Sequence, residues 1–230
     1  VPSVELEAPA KLNLGLRIVG RRDDGYHLLE SLFLPLELSD RVEIEVGSAD
    51  PGVHLEVESE VAGVPSGERN LATRAARAFL AAAGLHDLPV RIRLRKRIPV
   101  AAGMGGGSSD AGSVLRGLSA LRPGAISSPA LAEIALRLGA DVPYFLDPRP
   151  ALVRGIGERS EPIPAPRPLF TLLANPGVEL PTAQVFRLYD ALRSGAQTRV
   201  PAGLTPPDPR PTMRALFGPE GDADALARLP

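Results

Sequence analysis

The run Pro99-Val-Ala-Ala-Gly-Met-Gly-Gly-Gly-Ser-Ser-Asp110 constrains this chain more than any other stretch. Three consecutive glycines, Gly105, Gly106 and Gly107, leave backbone N–H groups bare and permit positive φ angles. They follow an alternating apolar segment (Val90, Ile92, Leu94) and precede Ala111, Val114, Leu115, Leu118 and Leu121, which share one helical face. A glycine-rich junction between strand and helix aims unsatisfied amides, at the positive end of a helix dipole, toward an anion. Ser108 and Ser109 add hydroxyls able to bind phosphate oxygens or cap the helix. Such a loop suits a polyphosphate. It is not a Walker A loop, because no Gly-Lys-Ser/Thr follows, and it does not match the dinucleotide fingerprint. The plainer alternative is a flexible turn with Ser108 as N-cap, which would need fewer glycines.

Around this loop the pattern is mixed. Val42, Ile44 and Val46, and then Val53, Leu55 and Val57, alternate with other residues as half-buried strands do. A helix is predicted over 70–83 with Gly84 as its stop, and another over 129–138 with Pro129 near its start and Gly139 at its end. The apolar run 169–174 is predicted to be a buried strand, and 182–192 a helix carrying Val185, Phe186, Tyr189 and Leu192. Five prolines in 199–211 mark a loop. Strands precede helices without regular βαβ alternation, so the expected fold class is α+β.

Composition removes several functions. With a net charge of −1 over 230 residues, no basic field exists to draw nucleic acid or anionic membrane. The absence of cysteine excludes disulfides, thiolate catalysis and Cys-based zinc sites. His27, His54 and His86 form no metal-binding pair. The arginines at 91, 93, 95 and 97 read as a solvated strand face. A cytoplasmic protein acting on small molecules is expected, with no nucleic-acid or membrane partner; oligomeric state is not legible.

The glycine loop with its trailing Ser-Ser-Asp-Ala resembles the second motif of the GHMP kinases. More specific are Ala8-Pro-Ala-Lys-Leu-Asn-Leu-Gly-Leu16, Arg22-Asp-Asp-Gly-Tyr-His-Leu28, Leu138-Gly-Ala-Asp-Val-Pro-Tyr-Phe-Leu146, Gly155-Ile-Gly-Glu158 and Asn175-Pro-Gly-Val-Glu-Leu-Pro-Thr182. These resemble the branch whose acceptor is CDP-methylerythritol, in non-mevalonate isoprenoid synthesis. The resemblance implies a two-domain fold: a ribosomal-protein-S5-like ATP-binding domain over 1–150 and a ferredoxin-like α+β domain over 151–230. The second is expected to be incomplete, because the family's third, Ser/Thr-Gly-rich motif is missing.

The resemblance also implies roles. Asp141 would be the base that takes the acceptor's proton, with Lys11 beside it. ATP would lie on Pro99, Val100, Ala101, Ala102, Gly103, Met104, Gly105, Gly106, Gly107, Ser108 and Ser109, with Asn70, Leu71 and Lys96 around the adenosine. Asn13, Tyr26, His27, Thr182 and Phe186 would form the substrate side: Tyr26 can stack on a cytosine ring and His27 can bond its edge. Thr182 is equally readable as a helix N-cap. Mg²⁺ is expected with ATP, and no carboxylate cage assigns it protein ligands. Two departures stand out: Met104 replaces the usual leucine, and Asp147-Pro-Arg-Pro150 replaces a typically glycine-rich turn. A different GHMP kinase, for mevalonate or homoserine, is the nearest alternative; a noncatalytic phosphate-binding module or an RNA-binding protein is the more distant one.

Overall fold

A computed structural model describes residues 1–47, 50–164, 169–175 and 182–194. Two long strands dominate it. β1 (Ser3–Arg21) and β2 (His27–Val46) pair antiparallel along their whole length. Their turn is closed by the Arg22 N–H donating to the Tyr26 carbonyl (2.8 Å) and the Gly25 N–H to the Arg22 carbonyl (2.9 Å). Gly25 takes φ +91° there, a conformation that favours glycine.

The other edge of β2 is shared. Its C-terminal half pairs antiparallel with β4 (Val90–Lys96), and its N-terminal half with β5 (Ala151–Gly155). β3 (Val53–Ser59) lies parallel to β4, joined to it through α1 (Leu71–Ala82), and β6 (Arg159–Pro162) pairs with β5. The result is one six-stranded sheet. The sheet therefore runs past residue 150, where the sequence places a domain boundary, and takes in β5 and β6.

Alternation along β2 and β4 sends Val42, Ile44, Val46, Val90, Ile92 and Leu94 to one face, where α1, α2 (Gly106–Leu121) and α3 (Ser128–Leu138) cover them. Phe79, Leu115, Leu118 and Ile134 complete this core, and each such fully buried side chain is worth about 1.5–3 kcal/mol. The opposite face is charged. Arg93 bonds Glu45 (3.1 Å) and Glu43 (3.2 Å) on β2, and Arg95 bonds Glu58 (2.9 Å) on β3. The arginine run is a strand face matched by glutamates. A smaller cluster of Phe33, Tyr144, Phe145, Ala151 and Val153 packs a 3-10 turn, Pro143–Leu146, against β2 and β5.

The helix termini follow their sequence signals. Asn70 caps α1 by accepting from the Ala72 N–H (2.9 Å), and Ser127 caps α3. Two expectations change. α2 begins at Gly106, before the apolar face that opens at Ala111. The run 169–174 is not a buried strand: Leu169, Phe170 and Leu172 are exposed, and no described strand pairs with it. An apolar run needs a neighbouring edge to become a strand, and its composition does not supply one. α4 (Thr182–Ser194) forms as expected; the loop over 199–211 lies outside the described residues. Among the described residues, no helix is long and apolar enough to cross a membrane.

Candidate active site

The glycine loop ends in a helix start that no side chain caps. Gly105 is the N-cap of α2, with φ +71° and no side-chain hydrogen bond to the amides of the first turn. Ser108 lies inside that turn, so it is not the N-cap that the plainer reading required. Two of the glycines, Gly105 and Gly106, sit where a side chain would be crowded. A Cβ on Gly105 would stand 3.0 Å from the Phe145 ring and 3.2 Å from Lys11 Cγ; one on Gly106 would stand 3.0 Å from Ile98 Cγ2. Ala101 holds φ +55°, a strained conformation for a residue with a side chain. The Lys11 N–H donates to the Met104 carbonyl (2.9 Å) and ties β1 to the loop. Leu71 borders the loop at Gly107. The buried Ser109 hydroxyl has no protein partner among the described residues.

Lys11 follows an irregularity in the β1–β2 pairing, between Pro9 and Lys11. Its ammonium is 3.3 Å from Asp141 Oδ2, donates to Asn13 Oδ1 (2.6 Å) and lies 4.4 Å from the centre of the Phe33 ring. Burial pushes the Lys11 ammonium below the usual lysine range, and Asp141 opposes that shift without cancelling it. Asp141 is the open member of the pair, with its side chain 32% exposed. It stands in the turn after α3, where the Val142 N–H donates to the Gly139 carbonyl (3.1 Å). Gly157 backs this turn at φ +122°: a Cβ there would meet the Ala140 carbonyl at 3.2 Å and Asp141 Oδ1 at 3.4 Å. The Gly155-Ile-Gly-Glu158 segment thus buttresses the carboxylate. Lys11, Asn13, Asp141 and the loop converge: uncapped amides, one cation and one accessible proton acceptor.

Lys96 is placed differently from the adenosine contact expected of it. Its ammonium is buried between Asp40 and Asp110, 2.7 Å from Asp110 Oδ2, beneath the first turn of α2. Asp40 also accepts from the backbone N–H groups of Arg97 (2.5 Å) and Ile98 (2.9 Å). Burial pushes the Asp110 carboxyl up to about 7 despite the lysine beside it. Lys96 supports the loop from behind. Asn70 is likewise engaged as the α1 cap and donates to the Pro65 carbonyl (2.8 Å).

Of the residues expected on the substrate side, Tyr26, His27, Thr182 and Phe186 lie at the hairpin tip and on α4, while Asn13 lies beside Lys11. Tyr26 is 59% exposed. His27 stacks on Phe186 with ring centres 4.7 Å apart, meets Tyr189 edge-on, and bonds Asp190 through Nε2 (2.7 Å). Phe186 therefore lies on His27 itself. Thr182 opens α4, and its side chain lies outside the described residues. Sequence reasoning missed Asp190, Phe33 and the two carboxylates around Lys96, of which only Asp110, next to the serines, carried a local signal; Gly157 was in view only as part of the Gly155-Ile-Gly-Glu158 segment. Among the described residues, no group of three or more His, Cys, Asp or Glu could hold a metal ion.

Comparison with known proteins shows the family and the fold. The family described as "GHMP kinases N terminal domain" matches residues 70–147. The 4-diphosphocytidyl-2-C-methyl-D-erythritol kinase of Symbiobacterium thermophilum is 42% identical over 225 residues, covering 98% of this chain and 74% of that protein. The Thermus thermophilus enzyme of the same name is 48% identical over 80% of this chain and 62% of its own length. A crystal structure of 4-(cytidine 5'-diphospho)-2C-methyl-D-erythritol kinase superposes with TM-score 0.65 at 47% identity, covering 80% of this chain and 63% of that one. The chain thus spans about three quarters of the first relative and under two thirds of the other two. A homoserine kinase from Cytophaga hutchinsonii, at 17% identity and TM-score 0.56, shares the fold.

Proposed function

Since the chain belongs to the 4-diphosphocytidyl-2-C-methyl-D-erythritol kinase family of GHMP kinases, we propose that it transfers the γ-phosphoryl group of ATP to the 2-hydroxyl of 4-diphosphocytidyl-2-C-methyl-D-erythritol, a step of non-mevalonate isoprenoid precursor synthesis. Phosphoryl transfer asks the protein for position and electrostatics more than for covalent chemistry. The ATP phosphates bind the first-turn amides of α2, where the helix dipole favours anions and no side chain competes. Asp141 accepts the proton of the attacking hydroxyl. Lys11, held between Asp141 and Gly105, neutralises charge that builds on the transferring group. The attacking oxygen then bonds to phosphorus, the bond to the bridging oxygen breaks, and ADP leaves with that electron pair.

Acceptor selection falls to the hairpin tip and α4, where Tyr26 and His27 take the cytosine and Phe186 backs the His27 ring; Asn13, beside Lys11, lies on the acceptor side. Mg²⁺ would accompany the nucleotide and offset its phosphate charge, and the Ser108 and Ser109 hydroxyls are the side chains the loop would offer it. Both partners are small molecules, and the cytoplasm is the proposed compartment. The nucleotide part corresponds to roughly the first 150 residues together with β5 and β6, while α4 serves the acceptor.

The observation that carries this reading is the Lys11–Asp141 pair beside an uncapped glycine-rich helix start. Asp141→Asn should lower phosphorylation of the cytidine substrate by about 10²–10⁴-fold while nucleotide affinity stays near the parent. A rate within a few-fold of the parent would remove Asp141 from the role of base.

A further inference from the structure

We propose that Asp190 is a positioning residue for the nucleobase end of the acceptor: it holds the His27 imidazole in one orientation and one tautomer, so that cytosine is preferred to uracil. This rests on the assignment of His27 to the substrate side. Asp190 lies 163 positions from His27 in sequence, yet its Oδ1 is 2.7 Å from His27 Nε2. A carboxylate has only lone pairs to offer, so Nε2 must carry the hydrogen and donate it. In the neutral ring Nδ1 is then a lone-pair acceptor. Cytosine presents an exocyclic amino donor where uracil presents a carbonyl oxygen. A ring acceptor complements the first and faces the second lone pair to lone pair.

The rest of the cluster restricts the orientation of the ring. Phe186 covers one imidazole face at 4.7 Å and 15°, and Tyr189 meets its edge at 6.1 Å and 83°. The His27 side chain is only 9% exposed, so its rotation is hindered. Asp190 is itself oriented: its Oδ2 is 3.5 Å from Arg21 Nη1, and Arg21 Nε donates to the Gly25 carbonyl (3.2 Å) in the turn just before Tyr26. One carboxylate thus links α4 to both residues assigned to the base.

The test uses the full chain with ATP and either the CDP-linked or the UDP-linked methylerythritol as acceptor. Asp190→Ala should raise KM for the CDP compound about tenfold, leave kcat and the KM for ATP within about threefold, and shrink the CDP-over-UDP preference about tenfold. Asp190→Asn guards against loss of fold: its amide oxygen still accepts from Nε2, so KM should recover. Because the amide group can also turn and donate, the preference should recover only in part. Imidazole nitrogen NMR shifts of His27, assigned through His27→Ala, should report the Nε2–H tautomer in the parent and a mixture in Asp190→Ala. An unchanged tautomer, an unchanged preference, or equal KM rises for both acceptors and ATP would overturn the proposal and leave Asp190 as a strut. His27→Ala addresses the underlying reading separately: if KM for the CDP compound stays at the parent value, His27 leaves the substrate side and Asp190 with it.

Discussion

Lys11 meets three demands with one side chain: its stem packs beside Gly105, its ammonium faces Asp141, and the Phe33 ring lies under the charge. Attraction of the cation to the ring and to the carboxylate offsets part of the cost of burial. The net effect still favours the neutral amine relative to an exposed lysine, so the proton leaves at lower pH than the usual 10.5. The charge is fully present at low pH and is lost as pH rises. The rate should therefore show an alkaline limb below pH 10.5, measured as kcat/KM against pH. In Lys11→Arg the level should drop, since a planar guanidinium does not reproduce a point charge, but the limb should move to higher pH. A limb that stays in place in this variant would assign it to another group. Asp141 and Lys11 were legible because each sits in a compact motif. Asp190 and Phe33 were not, since their relation to the site exists only after β1, β2 and α4 have come together.

At the scale of elements, the Lys96 cluster joins three of them: Asp40 from β2, Lys96 from β4 and Asp110 from α2. Two carboxylates share one ammonium, and burial leaves Asp110 titrating at about 7 instead of near 3.8. Between those values the folded chain holds a proton that the unfolded chain releases. Stability from this group is thus fullest below about pH 4 and is lost as pH rises toward 7. Asp110→Asn cannot titrate and still leaves Lys96 paired with Asp40. Its stability should exceed the parent's at pH 8 by about 1–2 kcal/mol, or roughly 3–6 °C in Tm, and approach it at pH 4. Equal differences at both pH values would show that Asp110 does not carry the proton.

The helices, the glycine-rich junction and the strand segments at 42–46, 53–57 and 90–94 could be read from period, caps and stops; the N-terminal half of β2, β5 and β6 could not. The Lys96 partners could not, because Asp40 lies 56 residues away and nothing local distinguishes a lysine buried in a strand from one at its edge. The same limit applies to 169–174, where apolar composition without a pairing edge suggested a strand.

Across the whole molecule, order is unevenly distributed. β2 and β4 carry wholly buried residues under three helices, whereas Val185 and Leu188 of α4 are exposed and its described contacts run to His27 and Arg21. Local opening should follow this division. Amides of β2 and β4 should exchange with solvent orders of magnitude more slowly than those of α4. His27→Ala should speed α4 further and leave the sheet unchanged, as hydrogen exchange with mass detection would show. Uniform acceleration would mean that α4 belongs to the central cooperative unit.

The irregular pairing of β1 with β2 has its own consequence. Between the pairs Pro9–Ser39 and Lys11–Pro35, β2 uses two more residues than β1; between Leu14–Leu32 and Arg17–Glu30, and again between Ile18–Leu29 and Gly20–Leu28, β1 uses one more than β2. The offsets cancel, so the tip that carries Tyr26 and His27 returns to the alignment of the base. Slack given out by one strand is taken up by the other. A lone deletion in either strand would misalign Lys11 with the turn that carries Tyr26 and His27, whereas a matched deletion from both would shorten the ribbon and keep the two in step.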